Sequence, residues 1–149
     1  LGWDHGSLNA ADIARRAEAA GVRMFVIHGR TRCQFYKDAA DWRAIGDVAG
    51  AVNVPVLANG DIASAADARA AMALSGAAGV MVGRAAQGKP WLPAAIEHAL
   101  RHGGEAQAPS NAALHAATPR VADDRRWDAG RFATSLMNEV AFGDATTAL

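Results

Sequence analysis

The chain has 149 residues, of which 51% are hydrophobic and 20% charged, enough to bury the core of one ordinary domain. Fifteen basic residues cancel fifteen acidic ones, which excludes wholesale coating of nucleic acid but leaves room for a local basic patch. One cysteine, Cys33, excludes an internal disulfide and fits a reducing, cytoplasmic compartment; no apolar run reaches bilayer length, no secretory leader is visible, and the start at Leu1 points to preceding sequence.

Residues 1–8 read as the tail of a strand followed by a polar loop. Asn9 is placed to cap a helix with Asp12 in its first turn, and Ile13, Ala17 and Ala20 share one face opposite Arg15, Arg16 and Glu18. Gly21 supplies its C′ residue. Residues 24–27 are apolar without alternation, which fits a strand buried on both faces of a parallel sheet. That strand runs out into His28-Gly29-Arg30-Thr31-Arg32. A loop over 33–40 leads to a helix over 41–49, with Trp42, Ile45, Val48 and Ala49 inward and Gly50 closing it.

Residues 54–58 form the next apolar strand, with Pro55 tolerable only near its start, and end in Asn59-Gly60-Asp61. Ser64 caps a helix to about residue 74, with Asp67 three residues on and Ala68, Met72 and Ser75 as a thin inward stripe before Gly76. A short strand over 79–82 ends in Gly83-Arg84-Ala85-Ala86. After Gly88-Lys89-Pro90, residues 91–101 read as a last helix. Beyond His102 the pattern dissolves into a linker over 103–108 and a tail in which Phe132, Leu136 and Val140 make a short helical stripe; no chemistry is assigned there.

Strand starts near 24, 54 and 79 are spaced by 30 and 25 residues, the period of consecutive right-handed βαβ units. A doubly wound sheet would announce its phosphate loop with a glycine fingerprint, and none is present. A β/α barrel spreads polar residues over several strand ends, as here. The expected fold is therefore α/β, the carboxyl-terminal half of a (β/α)8 barrel over residues 1–102, with a linker and tail over 103–149. A whole barrel takes about 250 residues, so the missing amino-terminal half, or self-association, must cover the open sheet edges.

The strand ends carry the candidate chemistry. Gly83 opens a turn whose N–H groups can approach an anion, and Arg84 adds a fixed charge, as in the phosphate sites of many barrels. Gly60 admits close backbone approach, and Asn59 and Asp61 offer an amide and a carboxylate. Asn-Gly-Asp alone reads first as a plain turn, and His28 alone as a hydrogen-bonded strand-end imidazole. Their shared edge makes a phosphate-bearing ligand the better reading. Arg30, Arg32 and Lys37, interleaved with Phe35 and Tyr36, form a basic and aromatic loop of a kind that holds phosphates and stacks bases, or that is ordinary solvated surface. Cys33 has no acid–base partner nearby in sequence and reads as a bystander thiol.

Four motifs, in this order and spacing, carry a resemblance: Ile27 to Arg32, Ala39 to Trp42, Val54 to Ile62, and Gly79 to Trp91. Over roughly residues 1–100 the chain resembles the second half of a tRNA-dihydrouridine synthase of the bacterial B type. The resemblance implies a barrel with flavin mononucleotide (FMN) at its carboxyl end, NADPH as electron donor, tRNA as partner, and reduction of a uracil C5–C6 double bond. It implies that His28 lies beside flavin and uracil, that Asn59, Gly60, Asp61, Gly83 and Arg84 bind the flavin, and that Arg30 and Arg32 contact RNA phosphates. No metal and no membrane are expected. The family's catalytic cysteine and a flavin-contacting lysine belong upstream of this chain, so no catalytic residue is assigned within it. Two rivals stand beside this reading: another FMN-linked barrel acting on a small pyrimidine, and an inactive half-barrel that binds a phosphate.

Overall fold

The computed structural model describes residues 1–104 apart from Tyr36, so the tail expected over 103–149 lies, after Gly104, outside the described residues. Helices and strands alternate: α1 (Ala10–Ala19), β1 (Phe25–His28), α2 (Trp42–Ala49), β2 (Val56–Asn59), α3 (Ala65–Ser75), β3 (Gly79–Met81), a 3-10 turn (Arg84–Ala86) and α4 (Leu92–His102). Among these residues no helix is long and apolar enough to cross a membrane.

The three strands lie side by side in the order β1-β2-β3, all parallel. β2 begins at Val56, later than the apolar run, because Pro55 has no N–H for the ladder; its carbonyl instead accepts from Phe25 N at 3.0 Å. The register pairs Phe25 with Val56 and His28 with Asn59, and then Asn59 with Met81. His28, Asn59 and Met81 therefore stand abreast at the carboxyl edge. Because strand side chains alternate faces, all three share one face of the sheet with Val26 and Leu57.

The opposite face is the core. Phe25, Ile27, Val56, Ala58 and Val80 meet Ile45, Ala68, Ala71 and Ile96 from the helices. Gly46 brings α2 and α3 together: a Cβ there would stand 3.4 Å from the Ser75 carbonyl oxygen. α3 starts in a reciprocal cap, with Ser64 Oγ accepting from Asp67 N at 3.1 Å while Asp67 Oδ2 accepts from Ala63 N at 3.1 Å. It stops at Gly76, whose φ of 64° suits glycine.

Four expectations are corrected. The strands were expected to be covered on both faces, yet Val26 and Met81 are 44% and 46% exposed, because the described helices all pack on one side. In α1 the buried residue is Ala14, and Ile13 is 53% exposed: the smaller side chain admits close approach to the neighbouring element and leaves the larger one outside. Asn9 precedes α1 without accepting a side-chain cap bond. In α3 the buried stripe is Ala68, Ala71 and Ser75, with Met72 only half-buried.

Candidate functional site

β1 and β2 are offset by 31 residues in register, and that offset continues past the strand ends. It places two pairs of polar residues opposite each other: His28 by Asn59, and Arg30 by Asp61.

In the first pair, Asn59 Nδ2 donates to the Met81 carbonyl at 2.9 Å, tying β2 to β3. A main-chain carbonyl can only accept, so the amide nitrogen must face it and Oδ1 must face His28 Nδ1, 2.6 Å away. The imidazole therefore carries its proton on Nδ1, and Nε2 of the neutral ring is left as an acceptor.

In the second pair, Arg30 is an interior residue, only 4% exposed. Its Nη2 donates to Asp61 Oδ2 at 2.5 Å and to the Asp38 carbonyl at 2.6 Å, and its Nε lies 3.2 Å from Asp38 O and 3.3 Å from Lys37 O. Arg30, expected to contact RNA phosphates, is here buried at the cleft wall, with its guanidinium held by Asp61 and by the Lys37 and Asp38 carbonyls. Nothing in the composition of His28-Gly29-Arg30-Thr31-Arg32 marked one arginine as inward. The matching spacings His28-x-Arg30 and Asn59-x-Asp61 were the available signal.

Between the pairs, the Gly60 main chain turns at a φ of 116°, and its carbonyl accepts from Trp42 Nε1 at 2.8 Å. A Cβ on Gly60 would fall 2.7 Å from Ala40 Cβ and 3.3 Å from His28 Cε1. Glycine is required there by both torsion and space.

Asp61 also accepts from Ala40 N at 2.8 Å and pairs through Oδ1 with Arg84 at 3.6 Å. Removal from water pushes its carboxyl upward, but the Arg30 hydrogen bond, the Ala40 N–H and the charges of Arg30 and Arg84 outweigh this, so its pKa falls below the ordinary value. Asp61 is thus an anion at neutral pH, shared between an interior and a surface arginine. Arg84 is the surface one, 58% exposed in its side chain.

These groups line one open cleft of about 970 Å³, to which His28, Asn59, Gly60, Asp61, Gly83 and Arg84 all contribute. The 3-10 turn begins behind Gly83, whose carbonyl accepts from Ala86 N at 3.0 Å. Arg32 and Phe35 also line the cleft. Cys33 is exposed and outside its lining. The cleft thus combines a cationic side chain, the start of a 3-10 turn and a fixed amide–imidazole pair. That set is chemically suited to an anionic, ring-bearing ligand.

A model of the dihydrouridine synthase (Dus) family matches residues 1–123. The chain belongs to this family. The match runs past His102, further than the four motifs alone reach. A Rhodobacter capsulatus protein named "Probable tRNA-dihydrouridine synthase" is 66% identical over 110 residues, covering 74% of this chain and 34% of that protein. A Rickettsia conorii protein of the same name is 53% identical over 110 residues, 74% of this chain and 33% of the relative. A Pseudomonas putida protein named "tRNA-dihydrouridine synthase B" is 45% identical over 108 residues, 72% of this chain and 32% of the relative. The chain spans about a third of the length of these curated relatives.

Proposed function

We propose that this chain is the flavin-binding, carboxyl-terminal half of the (β/α)8 barrel of a cytoplasmic tRNA-dihydrouridine synthase of the bacterial B type, with residues 103–149 as linker and tail. The observation that carries the reading is the convergence of His28, Asn59, Asp61, Gly83 and Arg84 on one cleft at the carboxyl edge of a parallel sheet. The uncovered sheet face that bears His28 and Asn59 is the one a barrel turns inward, and the absent strands, or a second copy, would cover Val26 and the edge of β1.

The residues present fit FMN. A Cβ on Gly83 would meet nothing nearer than Asn59 Nδ2 at 3.9 Å, so packing within the chain does not demand glycine there; a close-lying phosphate would. Arg84 and the amides of the 3-10 turn would hold that phosphate. Asn59, locked by His28 and Met81, would orient the polar edge of the ring, and His28 Nε2 stays available as an acceptor beside it. When bound and reduced by NADPH, FMN would supply the hydride for a uracil C5–C6 double bond, with tRNA as the substrate that carries the uracil. The acid for C5 is not Cys33, which lies outside the cleft lining.

Titration of FMN and of riboflavin against the full-length protein and its Arg84→Ala variant tests this. Loss of one charge-assisted hydrogen bond should weaken FMN by about 1.5–3 kcal/mol, roughly ten- to hundredfold, and riboflavin far less, since it lacks the phosphate. Equal losses for both ligands would refute the phosphate assignment.

A further inference from the structure

The loop between β1 and α2 holds an aromatic ring in a place that folding alone disfavours. Phe35 is 59% exposed, and its φ of 52° lies in the left-handed region, where a bulky side chain is an outlier. Strain of this kind persists only where the surroundings impose it, and it concentrates where a ligand is held. The surroundings here do impose it. Arg32 N donates to Gly2 O at 2.9 Å and Cys33 N to Trp3 O at 2.8 Å, anchoring the loop to the chain's first residues. Gln34 and Thr31 bind each other's main chain, with Thr31 N donating to Gln34 Oε1 at 2.8 Å and Gln34 N to Thr31 Oγ1 at 3.3 Å. Arg30, from inside, holds the Lys37 and Asp38 carbonyls on the far side of the turn.

On this braced loop the Arg32 guanidinium lies 4.2 Å from the centroid of the Phe35 ring. The pair lines the same cleft as His28 and Arg84. A planar cation stacked on an exposed ring offers a flat π surface and a charge in one place, which suits an unpaired nucleobase attached to its phosphate.

We propose that Phe35 and Arg32 form a stacking platform for an unpaired RNA base next to the one that enters the cleft. The proposal rests on the tRNA reading above and adds a second base contact to it. It makes the loop a reader of splayed-out, single-stranded nucleotides, with Phe35 supplying the ring face and Arg32 both extending it and meeting the phosphate.

The test is fluorescence anisotropy on the full-length protein with two labelled oligomers of equal phosphate number, one an oligouridylate and one abasic throughout. Phe35→Leu should lower affinity for the oligouridylate by about five- to 150-fold and leave the abasic oligomer unchanged. Phe35→Trp should keep or raise the oligouridylate affinity, which guards against a loop that merely misfolds in the leucine variant. Equal losses on both oligomers, or no loss on either, would overturn the platform while leaving RNA binding intact. Wild-type protein that binds neither oligomer would overturn the platform and the RNA reading together, a result separate from the flavin titration.

Discussion

The turns after β2 and after β3 lie at the same sheet edge and line the same cleft, but they are built in opposite ways. In the β2 turn every polar side chain is engaged within the chain: Asn59 with His28 and Met81, Asp61 with Arg30, Ala40 and Arg84. Gly60 between them has no space to spare. In the β3 turn Gly83 is surrounded by room and Arg84 is mostly exposed. One turn is a brace that keeps the edge in shape; the other leaves room beside its glycine and sets its arginine at the surface of the cleft. Residues of similar type at equivalent strand ends thus differ in what their loss should disturb, stability in one case and affinity in the other.

The largest effect should come from the brace. Arg30→Met takes away the shortest partner of the Asp61 carboxylate and the donor that holds the Lys37 and Asp38 carbonyls. Asp61 keeps 32% of its side chain exposed, so the loss falls below that of a fully buried pair, at about 2–3 kcal/mol. A urea midpoint lowered at constant slope would bear this out, and an unchanged midpoint would break the distinction between the turns.

The two glycines sharpen it. Gly60→Ala forces a side chain into φ 116° and against Ala40, which should cost about 1–2 kcal/mol. Gly83→Ala should unfold within about 0.5 kcal/mol of the parent and yet weaken FMN. If Gly83→Ala is the more destabilised of the two, the turn after β3 is structural after all.

Acid should act through Asp61. Its pKa is lowered on folding, so the unfolded chain binds more protons in the window below the ordinary carboxylate value of about 3.9, and stability there rises with pH. The Arg30–Asp61 contribution is present above that value and is lost as pH falls through the folded one. Melts of the parent and of Asp61→Asn should differ at neutral pH and converge below about pH 4. A difference that stays constant as pH falls well below that value would mean that Asp61 does not titrate with folding.

The smallest stability effect is expected at Arg84. Its pairing with Asp61 at 3.6 Å is solvent-exposed, and Arg84→Ala should move the midpoint by no more than about 0.5 kcal/mol. This is the same variant expected to lose FMN, and thermal melts without ligand would separate the two effects.

Much of this fold can be read from residues close together in the chain. Unalternating apolar runs marked the three strands, Ser64 with Asp67 marked the start of α3, and Gly76 marked its end, because caps and strand patterns depend on neighbours within a few positions. The candidate site residues were legible for the same reason: polar groups directly after an apolar strand of a βαβ unit lie at its carboxyl edge whatever the rest of the chain does.

Pairing across strands decided the rest. Only the register of β1 on β2 determines that Arg30 meets Asp61 and so turns inward, while Arg32, two residues on, stays at the surface with its guanidinium over Phe35. Only helix docking determines that Ala14, and not Ile13, faces the interior. In composition the two arginines are identical; a buried cation is tolerable only where a distant carboxylate and main-chain carbonyls arrive to meet it, and their arrival is a property of the assembled sheet.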